Sequence, residues 1–224
     1  MPEHDGTLFP FDRVLVMDPS PLTGLALCQI TDEVACQPCS EYVASLPVLH
    51  DALSRTRGKR VLLIMELMSA GGTVRDGMGL LQTLQPFLLS GQYRVLVCTD
   101  LADPLLLRAV LSGRPSVLAL RREPLAVLRE AISMADVAWP GTVLSPAVTD
   151  GLARVRHVKL APREMEMLVT QVDYPDIRAS AAIMAVSHKT VSSWRRNVMR
   201  QIRPGRKTTL QWRLAQMQKV TGRG

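Results

Sequence analysis

Arg60-Val-Leu-Leu-Ile-Met-Glu66 decides the fold. Five apolar residues in a row are too few for an ordinary helix and far too few to span a bilayer, so residues 60–66 read as a buried strand. The flanking sequence repeats the theme. Residues 13–17 form another buried strand, followed by a helix over 21–30, a weak strand over 34–36 and a helix over 40–54 that Pro47 interrupts or shifts. Beyond 60–66 come a helix over 77–89, a strand over 93–98 and a helix over 103–111. A strand over 116–120 and a helix over 124–134, with Pro124 in its first turn, complete the run. Five strands alternating with five helices predict a parallel, doubly wound α/β sheet. The pattern leaves strand order open, within the limits set by right-handed crossovers.

The alternation stops around Trp139-Pro-Gly-Thr-Val-Leu-Ser-Pro146, and the composition changes there too. Residues 151–224 carry 15 basic and 4 acidic side chains, a net of +11, whereas residues 1–150 carry 12 and 16, a net of −4. A mildly acidic body bearing a strongly basic end suits a regulatory module joined to one that binds a polyanion. At 224 residues and 47% hydrophobic, the chain has enough apolar material for one large or two small domains. Residues 1–7 are acidic and lack a basic-then-apolar leader, so a cytoplasmic protein without membrane contact is expected. Four cysteines (Cys28, Cys36, Cys39, Cys98) suit a reducing compartment. Cys36-Gln-Pro-Cys39 is formally a CxxC, but no second pair or nearby histidine completes a zinc tetrahedron. Small residues beside a short strand, or a redox or metal role, both remain open for it. Catalysis is not expected: there is no Gly-rich phosphate loop or Gly-x-Ser-x-Gly elbow, and the four histidines are widely separated.

From Lys159 onward the pattern is helical. Pro162 suits a first turn, Glu164 and Glu166 favour a helix N-terminus, and Met165, Leu168 and Val169 supply an apolar face. A second helix over 177–184 packs Ile177, Ala181 and Met184. Ser187 then stands as N-cap of a third helix over 188–201, with Val191, Val198 and Ile202 facing inward. Its polar face holds His188, Lys189, Thr190, Ser192, Ser193, Arg195, Arg196 and Arg200. Lys189 with Ser192 or Ser193 could meet base edges, and the arginines could grip phosphates. Charge alone leaves a solvated surface helix and a DNA reader both open.

Residues 160–203 resemble the LuxR/FixJ helix-turn-helix. Leu160, Pro162, Arg163, Glu164, Glu166 and Leu168 match the start of that signature, and Ser187, Lys189, Thr190 and Val191 match its recognition helix without a gap. Tyr174-Pro175 replaces the usual glycine after the first helix, Ala179-Ser180-Ala181 replaces Glu-Ile-Ala, and Trp194 and the paired arginines are unusual. The resemblance implies double-stranded DNA as partner. It also implies a dimer contact through a last helix over 208–220, with Leu210, Leu214 and Met217 as its stripe.

The N-terminal alternation is similar to a response-regulator receiver of flavodoxin-like topology. Val61-Leu-Leu-Ile-Met-Glu66-Leu-Met-Ser-Ala-Gly-Gly-Thr-Val-Arg-Asp-Gly77 resembles the third strand and following loop of the capsule-synthesis (Rcs) regulators. That resemblance implies a pocket of two acids after the first strand, an aspartate after the third, a hydroxyl after the fourth and a lysine after the fifth, holding Mg²⁺ and accepting a phosphoryl group. Here the positions carry Asp18-Pro19, Glu66, Thr99 and Arg121, with Ala119 where a switch aromatic often sits. One acid is missing, the acceptor is a methylene longer, and a planar guanidinium replaces an ammonium. The pocket is therefore expected to be degenerate, with no metal and no cofactor. Two explanations stand: Glu66 pairs with Arg121 as a mimic of the signalling state, or an unused pocket has decayed.

The expected architecture is an α/β flavodoxin-like receiver over 1–137, a linker over 138–156 and an all-α helix-turn-helix domain over 157–224. The expected function is a DNA-binding transcription regulator that works without phosphorylation, as a homodimer or as accessory heterodimer partner of an Rcs-type regulator. A module that sequesters another regulator without touching DNA is the alternative.

Overall fold

A computed structural model describes residues 9–137 and 141–201. Its sheet has six parallel strands in the order β2-β1-β3-β4-β5-β6. They are β1 (Arg13–Met17), β2 (Ser40–Val43), β3 (Val61–Met65), β4 (Tyr93–Thr99), β5 (Val117–Leu120) and β6 (Val143–Leu144). The first five follow the flavodoxin-like order, with the topological switch between β1 and β3. Every residue of β3, β4 and β5 is buried, as expected of apolar strands covered on both faces.

Helices α1 (Pro21–Ala35), α2 (Leu46–Ser54), α3 (Val74–Thr83), α4 (Gln85–Leu89), α5 (Pro104–Ser112) and α6 (Leu125–Ser133) connect the strands. Two cores result. Leu15, Met17, Leu63 and Met65 face one side of the sheet, and Val14, Val16, Leu62 and Ile64 the other, as period-two alternation requires. Gly77 is indispensable to this packing, since a Cβ there would lie 1.9 Å from the Leu67 carbonyl oxygen.

Three local expectations are corrected. Residues 34–36 are not a strand: α1 continues to Ala35 and ends on Cys36 in the left-handed region. The second strand is Ser40–Val43, where a helix was expected to begin. Asp32 at the end of α1 accepts hydrogen bonds from the Cys39 and Ser40 N–H groups at 2.9 and 3.0 Å and delivers the chain beside β1. Pro47 then lies in the first turn of α2 and starts that helix instead of interrupting it. The helix expected over 77–89 begins at Val74, behind a capping box of Thr73 and Asp76. It breaks at Leu84, because Pro86 cannot continue the hydrogen-bond ladder.

The stretch read as a linker, 138–156, contributes β6 at the sheet edge and α7 (Pro146–Ala153). Three further helices follow: α8 (Pro162–Asp173), α9 (Ile177–Ile183) and α10 (His188–Gln201). Met167, Leu168, Val169 and Val172 bury the apolar face of α8, whereas Met165 is only partly buried. Val191 and Val198 of α10 are fully buried, as their spacing predicted. Ile202 and the helix expected over 208–220 lie outside the described residues. Among the described residues, no helix is long and apolar enough to cross a membrane.

α8 lies against α3 and α5. The Asp173 carboxylate accepts from the Val74 and Arg75 N–H groups at 3.3 and 3.2 Å, satisfying the first turn of α3 from the other half of the chain. The Arg75 guanidinium donates to the Thr170 hydroxyl at 3.1 Å and approaches Glu166 at 3.6 Å. Arg108 of α5 donates to the carbonyls of Val155 and Val158.

Candidate functional site

Two arrangements of polar groups stand apart from the packing. The first lies at the carboxyl edge of the sheet, where ligands of open α/β sheets are bound. Asp18 follows β1, Glu66 follows β3, Thr99 ends β4 and Arg121 follows β5, so strand order alone gathers the four. Asp18 is fully buried and Glu66 is 5% exposed. The Arg121 guanidinium reaches in among them: Nη2 pairs with Asp18, Nε lies 3.4 Å from Glu66 Oε2, and Nη1 donates to Asp100 at 3.0 Å. The Nε approach is an ion-pair contact and not a hydrogen bond.

Glu66 is otherwise fully engaged. Oε1 accepts from the Thr99 hydroxyl at 2.6 Å and the Leu67 N–H at 2.7 Å, and Oε2 from the Asp100 N–H at 3.0 Å. Thr99 Oγ1 in turn accepts from the Leu101 N–H at 3.0 Å, and Asp18 Oδ1 from the Ser20 N–H at 2.8 Å. Burial raises the Glu66 pKa, against the pull of Thr99 and Arg121, and raises that of Asp18 against Ser20 and Arg121. Burial would lower that of Arg121, but the charges of Glu66, Asp18 and Asp100 outweigh it and raise it.

A Mg²⁺ ion of the receiver type does not fit this arrangement. It would need hard oxygens around an open centre, and here a guanidinium occupies the space between the carboxylates while the Glu66 oxygens are committed to three donors. Asp100, which the sequence reading passed over, is the third carboxylate on Arg121; its place just after Thr99 was the available signal. Burial pushes the Cys39 thiol of the CxxC pair up to about 11, away from the thiolate form.

The second arrangement is the outer face of α10. Ser187 caps the helix, its Oγ accepting from the Thr190 N–H at 3.1 Å and sharing a 2.8 Å hydrogen bond with the Thr190 hydroxyl. These two side chains are thereby tied to each other, and each hydroxyl keeps further hydrogen-bonding capacity. His188, Lys189, Ser192, Arg195 and Arg196 are brought together along one groove with Ile177 and Met199, and Ser193 and Arg200 line the next hollow with Arg196. His188, Lys189, Arg196 and Arg200 are exposed, and Arg195 is half-buried. Trp194 packs partly against the core.

What fixes α10 was missed from sequence. Glu164, near the start of α8, is 4% exposed. Its Oε2 accepts from the Ala161 N–H at 2.8 Å, and its Oε1 accepts from the Asn197 side-chain amide of α10. Its place three residues after the N-cap position and its match to the helix-turn-helix signature were visible in sequence, but neither points to Asn197.

No protein-family model matches the chain, and no curated protein matches it. Solved structures do. RcsB from Salmonella enterica serovar Typhimurium bound to promoter P1flhDC in the presence of the phosphomimetic BeF3− is 18% identical, with 92% of this chain and 99% of that one covered at a TM-score of 0.67. The same protein bound to promoter rprA is 19% identical, with 92% and 98% covered at 0.65. A further RcsB–DNA complex is 19% identical, with the same coverage, at 0.56. At such identity the likeness shows a shared fold over both halves of the chain, the one to which its motifs pointed.

Proposed function

We propose that this chain is a transcription regulator that binds double-stranded DNA through α10 and does so without phosphorylation. One observation carries the first part: Lys189, Ser192, Arg195 and Arg196 share an open groove on α10, while the docking of α8 onto α3 and α5 uses other surfaces. A helix with donors in its first turns and arginines further along has the layout of a major-groove reader. The fold neighbours include RcsB–DNA complexes, which supports the same reading. The second part rests on Arg121, which neutralises the carboxylates that a metal would otherwise bridge, and on Thr99, which is already bonded to Glu66. Glu66 thus holds the switch hydroxyl as a mimic of the signalling state. Action as a homodimer, or as partner of a related regulator, belongs to the same proposal. So does the division into a receiver-like domain over 1–137 and a DNA-binding domain over 157–224.

Selection from a random duplex pool by the purified full chain tests the reading. A recovered motif, bound equally well with and without acetyl phosphate and Mg²⁺, is expected. Lys189→Ala relaxes that motif by about 1–3 kcal/mol at one position if Lys189 reads a base, and weakens all duplexes equally if it touches only phosphate. Affinity falls steeply with salt. Recovery of no duplex would favour a module that acts by holding another protein.

A further inference from the structure

Beyond the bonds that Thr170 and Asp173 make to α3, a cleft of about 480 Å³ opens between the later part of α3, α5 and the start of α8. That volume lies within the range of small-molecule sites, which favour junctions between domains. Its inner wall is apolar: Met78, Ala109 and Val169 are buried there and the partly buried Met165 faces them, while the exposed Gln82 and Ser112 also line the cleft. On α3 the wall is bare backbone at Gly79, where an added Cβ would meet nothing within 4 Å.

The rim is charged. Arg163 Nη1 lies 2.7 Å from Glu166 Oε2, and Arg75 Nη2 lies 3.6 Å from Glu166 Oε1. At the mouth of the hollow two guanidinium groups thus meet the Glu166 carboxylate, while the Asp173 carboxylate is engaged by the Val74 and Arg75 N–H groups. Both arginines are partly solvated, their side chains 62% and 35% exposed, so an incoming anion can reach them without unpacking the core.

We infer that this cleft binds a small amphipathic organic anion, its apolar body against the methionines and Val169 and its acidic head on Arg75 and Arg163. Methionine side chains adapt to irregular apolar shapes, and guanidinium forks match carboxylates and sulfonates. A neutral lipid would leave the rim arginines unused, and a cation would be repelled by them. The occupant touches α3, α5 and α8 at once, so its binding is linked to the docked arrangement of the two halves. Nothing in this inference depends on DNA binding.

The probe is 8-anilino-1-naphthalenesulfonate, titrated into the full chain and followed by its emission, then displaced with decanoate. One saturable site per chain is expected. Two variants leave the core intact: Arg163→Gln on the solvated rim, and Gly79→Met, which fills the hollow and replaces glycine in a helix by a better helix former. Each is expected to weaken probe binding about tenfold or more. Decanol, which lacks the charge, is expected to displace far less than decanoate. Non-saturating emission, unchanged affinity in both variants, or equal displacement by decanol and decanoate would each overturn the proposal.

Discussion

Replacing Arg121 by alanine removes the cation that Asp18, Glu66 and Asp100 share. Two of these, Asp18 and Glu66, are buried, and the arginine itself is only 15% exposed. Deleting one member of a buried ion pair costs about 3–5 kcal/mol, because the abandoned carboxylates are kept from water and retain only their neutral hydrogen-bond donors. For a chain of this length each kcal/mol moves the melting temperature by about 2–4 °C, so a drop of roughly 10 °C is expected at neutral pH. The pH dependence identifies the cause. Both acids already have raised pKa values in the folded chain, and loss of the guanidinium raises them further. A carboxyl group with a raised folded pKa favours the folded state below its unfolded value, near 4, and loses that advantage as pH climbs through the folded value. Arg121→Ala should therefore fall progressively further behind the parent as pH rises from about 4 to 8, as read by circular dichroism melts. Arg121→Lys keeps the charge but lacks the fork that spans Asp18 and Asp100, and should recover only part of the loss. A melt for Arg121→Ala that matches the parent at pH 8 would refute the idea that the guanidinium neutralises this pocket.

Three further outcomes follow from single side chains. Glu66→Gln keeps an acceptor for Thr99 and Leu67 and removes a charge whose burial outweighs its partners, but sets an NH2 group against the Asp100 N–H. The difference in melting temperature should shift in the variant's favour as pH rises from about 4 to 8, whatever its sign at pH 4; a shift the other way would contradict this. Gln171 is fully buried and, among the described residues, neither of its amide atoms has a hydrogen-bond partner. Gln171→Met, of similar length, should raise stability by about 1–3 kcal/mol in urea melts, and an unchanged or lower midpoint would show that the amide is satisfied in solution. Glu164→Ala loses the tie to Asn197 and the first-turn cap of α8, so α10 should sit less firmly and duplex affinity should fall in anisotropy titrations. A purely electrostatic role predicts the opposite, since removing an acid near a DNA-binding face would raise affinity.

The fold was legible where burial is complete. β3 and β5 are uninterrupted apolar runs, β1 is one after Arg13 and β4 carries one over 95–98, and their sequence boundaries fall within two residues of the observed ones. β2 was missed because Ser40-Glu-Tyr-Val43 lies at a sheet edge with only Val43 fully buried, so its strand character comes from pairing with β1 and not from its own residues. β6 is two residues long and exists only through its bonds to β5. The pocket residues Asp18, Glu66, Thr99 and Arg121 could be named in advance because the receiver resemblance assigns its pocket to the ends of strands that were themselves legible. The hold of Arg121 on Asp100, and of Glu164 on Asn197, could not, because both join residues that no local pattern connects. The outer face of α10 was visible as a charge pattern, but the tie between Ser187 and Thr190 at the helix cap needed coordinates.

The central claim is that this chain recognises DNA through α10, and genome-wide immunoprecipitation of the tagged protein in its own host tests it most directly. Sharp peaks over promoters sharing a short motif are expected, and they should vanish for a Lys189→Ala, Arg195→Ala double variant expressed at the same level. An empty map from well-expressed parent protein, or peaks that persist in the double variant, would contradict it.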